Sequence, residues 1–541
     1  MTLSPAVNPA ANAAAEEGFY VDDVAFQSGF VLEQTPLLIA TAAALGGFVP
    51  PTVQGAFRYC DLGCGDGTTL CALAALNPQA EFVGIDFNAQ HVASGQAQAK
   101  TLGLGNLSFR QASFTDLEAH GDLGSFELVS CNGIYSWLEE APRQGVITFL
   151  QRHLKPGGLF YVEFTSLPGM AAVPPLWHLI QTLEPLAGRN SRERAKAGLE
   201  RLQQLARRGL AFLSANPRAA GAARHYLSRY KQDPEATIDH FIHNAMASGF
   251  RPRYFDAMAA EMAEADLQFA GRTVLPLNDI ELAVPPTQVP TFRDLADPIQ
   301  RQLLVDYVRN EQNRRDVFIK QAEPNPAGAA AFLGQQLRLL ARNAADAIKP
   351  VLPVPGGRSG LPLRGPIYES LLPAFEAAAR PAASVELPSD LDPALIAKAI
   401  ARLTVSPYYF HLLPGAESVV VADPDALAAR QPRLPLAANR WLLDQAAEGF
   451  SGCQLGSPLT GGAAIQLSVL EVLLLRHALD QGWDGAAKAV ASQLAEQDKR
   501  MIPTPQGGVA ANSIKDDQLQ ELLTLLKGRK LLNMARLGII A

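Results

Sequence analysis

The densest run of chemistry-bearing positions is Asp61-Leu62-Gly63-Cys64-Gly65-Asp66-Gly67-Thr68, which follows a short apolar stretch and opens a helical pattern. Glycines at such a turn let the backbone fold tightly and come close to a ligand. Asp86 closes the next strand-like run 19 residues after Gly67, about where an acidic residue grips ribose hydroxyls in a nucleotide-binding βαβ unit. Two ligand classes compete for this loop. A dinucleotide loop needs glycine at position 68, where Thr68 stands, and Asp61 and Asp66 would repel a pyrophosphate. The same carboxylates suit a sulfonium and an ammonium. S-adenosylmethionine carries both cations and no phosphate, so the D-x-G-x-G-x-G form favours it over NAD. A glycine-rich turn with no ligand is the remaining alternative. The expected donor contacts are Asp61, Gly63, Cys64, Gly65, Gly67, Asp86 and the adjoining Phe87, with Tyr20 upstream.

Further along, Ser113-Phe114 fall after a third strand-like run, where an adenine would sit; an ordinary strand end with a buried Phe explains them equally well. Asn132-Gly133-Ile134-Tyr135-Ser136-Trp137 follow a fourth. Strand carboxyl ends line the ligand crevice of open α/β sheets, so Asn132 and Gly133 are expected beside the donor. Tyr135 and Trp137 are expected to flank a substrate amine with their ring faces; the alternative for Trp137 is plain core packing. Glu163, or water, is expected to take the acceptor's proton.

These positions demand a particular scaffold. Phe57–Leu62, Phe82–Asp86, Leu107–Phe109, Phe126–Cys131 and Leu159–Phe164 read as strands, with helices expected at Thr68–Leu76, Asn88–Leu102 and Pro142–Leu154. Strands alternating with helices imply a parallel sheet covered on both faces. Leu267–Ala270 and Asp316–Lys320 are expected to supply the two closing strands of a Rossmann-like, mostly parallel seven-stranded sheet. Residues 170–250 would then be a helical insertion and the closing segment would run to about residue 322. Ser191–Ala215 carries leucines at helical spacing with Arg192, Arg194, Lys196, Arg201, Arg207 and Arg208 between them, which reads as a solvated basic face or as a docking face for an acidic partner. Residues 349–366 are Pro/Gly-rich and read as a linker or long loop. Beyond them a mainly helical C-terminal domain is expected, with helices at Glu369–Ala379, Ala394–Leu403, Arg440–Gly449, Ala464–Gln481 and Gln518–Leu532.

Length and composition narrow the partners. At 541 residues the chain exceeds one ordinary core, and a net charge of −7 gives no electrostatic reason to grip nucleic acid. Its five cysteines lack a CxxC pair, so free thiols are expected and a zinc site is not. Residues 1–16 are expected to be a disordered arm. The apolar run Leu37–Val49 is too short to span a bilayer, and a cytoplasmic protein is expected.

The segments Asn132–Trp137, Leu154-Lys155-Pro156-Gly157-Gly158, Ser166-Leu167-Pro168-Gly169, Phe250–Phe255 and Asn313–Phe318 together resemble bacterial methyltransferases that carry a methyltransferase regulatory domain. Gln34-Thr35-Pro36 and Gly456-Ser457-Pro458 extend the resemblance from about residue 19 to past 460. The best-known relatives are the rickettsial outer-membrane-protein lysine methyltransferases. The resemblance implies a donor domain followed by helical middle and C-terminal domains used for substrate engagement and homodimerisation, with a protein lysine as acceptor. A small-molecule or peptide acceptor uses the same donor site. A donor-binding scaffold without turnover and a base or amide methyltransferase, suggested by the Asn132…Tyr135 spacing, complete the field.

Overall fold

The computed structural model describes residues 29–117, 123–183, 190–232, 234–245, 249–342, 351–356, 360–416, 424–497, 501–504 and 507–541. Tyr20 and the 1–16 arm lie outside them. The first helix, α1 (Pro36–Leu45), is apolar around most of its circumference and is buried accordingly. After it come β1 (Arg58–Leu62), α2 (Thr68–Leu76), β2 (Glu81–Asp86), α3 (Ala89–Thr101), β3 (Leu107–Gln111), β4 (Phe126–Cys131), α4 (Glu140–His153) and β5 (Leu154–Thr165). The middle region holds α5 (Pro174–Leu183), α6 (Ser191–Arg208), a short helix Ala211–Ala215, α7 (Pro217–Gln232) and α8 (Pro234–Ala245). Then α9 (Phe255–Ala263), β6 (Leu267–Arg272), α10 (Pro298–Arg309) and β7 (Asn313–Lys320) complete the sheet.

Seven strands pair in the order β3-β2-β1-β4-β5-β7-β6. The first five are parallel, and β7 runs antiparallel between β5 and β6, with Leu159 opposite Ile319 and Leu267 opposite Lys320. The expected closing strands are thus the observed ones, β6 starting at Leu267 and β7 ending at Lys320 as expected. Lys320, at the end of β7, is buried, and its Nζ donates to the carbonyls of Leu150, Gln151 and Leu154 at 2.8, 2.5 and 2.9 Å. It thereby adds a donor to the carbonyls at the C-terminus of α4, of which that of Leu150 also accepts the Leu154 amide.

A buried charge cluster fixes the closing strands. Arg314 is fully buried, with Nη1 2.7 Å from Asp306 and Nε 2.7 Å from Asp316, and its guanidinium lies 3.9 Å from the Phe255 ring centroid. Arg272, also buried, reaches Glu311 at 3.1 Å. Burial pushes the Asp306 carboxyl up to about 6 against the pull of both guanidiniums.

The middle helices α5 to α8 form their own small core around Leu176, Trp177, Leu199, Tyr226, Phe241 and Ile242. The basic segment expected to run as one helix to Ala215 stops at Arg208, because Gly209 takes φ +83°. Its start is fixed by a capping box in which Asn190 accepts from the Glu193 amide.

The C-terminal half differs more from expectation. Residues 351–352 and 361–362, within the expected linker, pair as a two-stranded ladder. Ala464–Gln481 is not one helix: Gly462–Leu467 pairs with Cys453–Ser457 as a hairpin, and only Val469–Gln481 is helical, capped by Ser468 and Glu471. The hairpin packs on the N-terminal segment. A methyl group at Gly462 would lie 2.3 Å from Thr35 Cγ2, and the Ala463 amide donates to Thr35 Oγ1 at 3.3 Å. One continuous apolar core, from Phe30 and α1 through α2 to Ile540, joins this half to one face of the sheet. The other face is covered by α4 and α9.

Candidate donor loop and acceptor cavity

The loop between β1 and α2 holds Gly63, Gly65 and Gly67 at φ +75°, +56° and +80°. Gly67 tolerates nothing larger: a methyl there would stand 2.6 Å from Phe109 Cζ. Two carboxylates bracket this loop at the ends of adjacent parallel strands. Asp86 accepts from the Gly65 amide at 2.9 Å, the Asn88 amide at 2.9 Å and His91 Nδ1 at 3.2 Å. These bonds hold the loop against the end of β2. Asp61 is buried and takes the Ser130 hydroxyl at 2.6 Å; Gln34 in turn donates to Ser130 Oγ at 3.1 Å. Burial pushes the Asp61 carboxyl up to about 7, with the Ser130 and Gln34 bonds opposing that rise and Asp86 adding to it. Cys64 is buried with a neutral thiol, since burial and both carboxylates raise its pKa.

Phe87 is half-buried beyond Asp86, and Gln111 Nε2 donates to its carbonyl at 3.2 Å. Ser113 is half-buried and bonds Thr115, while Phe114 is buried in the core of the sheet's other face. The donor set fits an adenosyl sulfonium: two carboxylates and three glycines in the left-handed region stand at the carboxyl ends of adjacent parallel strands, the end of an open α/β sheet at which ligands bind. No basic side chain among them would receive a pyrophosphate.

A cavity of about 930 Å³ opens at the ends of β4 and β5, where Ile134, next to the lining residue Gly133, packs against Gly63 of the loop. Gly133, Trp137 and Glu163 line it from the sheet, Trp177 and Tyr226 from the middle helices, and Asn313 from the start of β7. Asn132 accepts from Tyr161 Oη at 3.0 Å, and Gly133 takes φ +75°, facing Glu163 Oε2. Trp137 packs against Phe250 with centroids 5.2 Å apart and ring planes tilted by 42°, and its buried indole N–H has no protein partner among the described residues. Glu163 is held at Oε1 by Arg315 Nε, 3.3 Å away, and Arg315 Nη1 also reaches Glu33 at 2.8 Å. Burial raises the Glu163 carboxyl, with the Arg315 charge opposing it.

Tyr135 does not belong to this wall. It is fully buried in the core beneath the sheet, and its hydroxyl donates to Glu261 Oε2 at 2.9 Å. The physical reason is the 3-10 turn Tyr135–Trp137, whose first and third side chains diverge by about 120°, so that Tyr135 enters the core of the sheet and Trp137 packs against the middle helices. The channel-wall expectation for Tyr135 is therefore replaced by an anchoring contact to α9. Sequence reasoning missed Trp177, Tyr226, Phe250 and Arg315 as cavity-region residues. Phe250 and Arg315 sit inside the FRPRYF and NRRDVF motifs, whose sequence alone assigns them no role; Trp177 and Tyr226 look like ordinary core aromatics on amphipathic helices.

Comparison with known proteins agrees with this geometry. Residues 54–208 match a family model described as a methyltransferase domain, and residues 239–320 match one described as a predicted methyltransferase regulatory domain. The chain therefore carries a methyltransferase domain of the Rossmann-like class followed by a methyltransferase regulatory domain. An uncharacterized protein of Synechocystis, sll1526, is 31% identical over 306 residues, covering 56% of this chain and 58% of that protein. The uncharacterized protein RP789 of Rickettsia prowazekii is 28% identical over 165 residues, 30% of this chain and 28% of its own length. The chain thus spans little more than half of the first relative and less of the second. Among solved structures, PKMT2 from Rickettsia typhi in complex with AdoHcy superposes with a TM-score of 0.61 at 13% identity, covering 95% of this chain and 99% of that one. That likeness extends the shared fold to the middle and C-terminal regions.

Proposed function

We propose that the protein transfers a methyl group from S-adenosylmethionine to the amine of protein lysine side chains, acting in the cytoplasm. The observation that carries this reading is the aromatic-walled cavity with Glu163 at its sheet end, whose lining residue Gly133 adjoins Ile134, the residue packed on Gly63 of the glycine loop. The bound donor supplies an electrophilic methyl on a sulfonium. A lysine has to arrive there neutral, and its ordinary pKa is about 10.4. The apolar walls of Trp137, Phe250, Trp177 and Tyr226 disfavour the ammonium by desolvation. Glu163 receives the departing proton at Oε2, the oxygen that faces Gly133, while Arg315 fixes Oε1. Asp61, Asp86 and the loop amides hold and orient the donor, so positioning supplies most of the acceleration. The resemblance to rickettsial lysine methyltransferases and the whole-length likeness to PKMT2, whose structure was solved with AdoHcy, support the same reading. Among the described residues no helix is long and apolar enough to cross a membrane.

A small-molecule acceptor is the second reading, favoured by the cavity volume, which falls in the range of ligand pockets. Titration with S-adenosylhomocysteine, followed by labelled donor with whole-cell protein and, separately, with a metabolite fraction, separates the two. Label recovered as methyl-lysine after hydrolysis is expected, and Glu163→Gln is expected to lower it at least tenfold with S-adenosylhomocysteine affinity kept. Label confined to metabolites would overturn the lysine reading; no ligand binding at millimolar concentration would overturn both.

A further inference from the structure

Charge is distributed unevenly along this chain. Residues 190–232, which comprise α6, the short helix and α7, contain ten Lys and Arg against two Glu. That is an excess of eight positive charges in a protein whose net charge is −7, so the remainder carries −15. One helix of this region, α7, borders the acceptor cavity, and Arg218 is the basic residue of the ten that lines it. Positions 217, 218, 221, 222 and 225, one face of α7, line that cavity, and Arg218 is exposed at its edge. Arg224 and Lys231 are exposed on the same helix. On α6, Ala195, Leu199 and Leu202 point into the small helical core, while Lys196, Arg201, Arg207 and Arg208 are exposed. Arg192 is already committed, to Glu235 at 3.0 Å and Asp239 at 2.7 Å on α8. Among the described residues, Lys196, Arg207, Arg208, Arg218 and Arg224 meet no carboxylate.

Retaining unpaired like charges on two packed helices is unfavourable for the fold by itself, because each repels its neighbours. We propose that the exposed basic face of α6 and α7 is a docking surface for an acidic polypeptide segment, which brings the acceptor residue to the cavity beside Arg218. This inference rests on the reading of a polypeptide acceptor and adds what flanks the methylated position. An acidic peptide fits better than a nucleic acid. The 18 residues of α6 span about 27 Å, enough for roughly eight extended residues of a partner. A long polyanion would run on past the basic face onto a body carrying −15, whereas a short acidic segment would not. Complementary charge of this kind steers encounter and fixes register, and its effect weakens as salt rises.

The test uses the full-length protein and two fluorescein-labelled 16-residue peptides, one Glu-rich and one Gln-rich, each with a single central lysine. Fluorescence anisotropy at 50 and 200 mM NaCl should show the Glu-rich peptide binding at least tenfold tighter at low salt, with most of that preference lost at high salt. Arg207→Glu/Arg208→Glu and Lys196→Glu/Arg224→Glu should each weaken it at least fivefold. Arg207→Gln/Arg208→Gln should do so partially. Unchanged S-adenosylhomocysteine affinity certifies that each variant is folded. Equal affinity for the two peptides, or indifference to charge reversal, overturns the proposal. So does tighter binding of a 20-nucleotide single strand or of phosphatidylglycerol vesicles with the same variant sensitivity. Ligand binding without acidic-peptide preference sinks the docking surface alone; acidic-peptide preference without ligand binding upholds the surface and removes the methyl-transfer reading.

Discussion

Replacing Asp61 by asparagine separates two effects that the natural residue combines. The carboxyl is buried at the end of β1 and lifted from 3.8 to about 7, chiefly by desolvation. In the unfolded chain it loses its proton near its ordinary value, so between about pH 4 and pH 7 the folded state holds the extra proton. Stability is therefore complete below this window, declines as pH rises through it, and levels off above about 7. A rise of this size corresponds to about 4 kcal/mol by the end of the window. The amide oxygen of the substitute would accept the Ser130 hydroxyl as the carboxylate does, but its N–H₂ would be left buried, at a cost of about 1–3 kcal/mol. The expected outcome is a variant less stable than the natural protein at pH 4 and more stable at pH 8. The difference between the two proteins should shift by about 4 kcal/mol across that range, read as urea transition midpoints at half-unit pH steps. S-adenosylhomocysteine, whose ammonium favours the ionised carboxylate, should bind the natural protein more tightly as pH rises through 7 and release protons detectable by calorimetry in two buffers. Parallel stability profiles for the two proteins would refute the reasoning, because the buried carboxyl would then have no part in the pH dependence.

Two further outcomes follow from buried contacts. Tyr135→Phe removes the hydroxyl bound to Glu261, which keeps Arg253 at 2.8 Å; stability should fall by about 1–2 kcal/mol while turnover stays within threefold, and a hundredfold loss of turnover would return Tyr135 to the reaction. Arg314→Met strands Asp306 and Asp316 in the core, leaving Arg272 3.7 Å from each; the urea midpoint should drop by an amount equivalent to about 3–5 kcal/mol, and an unchanged midpoint would show that the cluster contributes nothing net.

Much of the donor domain was legible because its signals are local. The strand-turn-helix around Asp61–Thr68 carries its own apolar run, its glycines and its helix start within a short stretch of chain, and β4 came out at the expected limits. The direction of β7 was not readable, since antiparallel pairing to β5 depends on the course of the chain through α10. The helix expected at Ala464–Gln481 failed for a related reason. Gly462-Ala-Ala-Ile-Gln-Leu has no strong preference of its own, and its strand state comes from pairing with Cys453–Ser457 and from the close fit of Gly462 on Thr35. Trp137 and Tyr135, two residues apart, look interchangeable in sequence; only the tight turn between them decides that one faces the cavity and the other the core. The cavity's far wall was invisible for want of any local mark on Trp177 or Tyr226.

The seating of the Gly462 hairpin on Thr35 reaches further than packing. Gln34, next in the chain, supports Ser130 and through it Asp61, so the residues touching the donor loop are braced from Ala463, 428 positions beyond Thr35. The methyltransferase domain is consequently no detachable cassette. A substitution at the distal hairpin that displaces Thr35 therefore acts on the segment whose Gln34 supports Ser130 and, through it, Asp61.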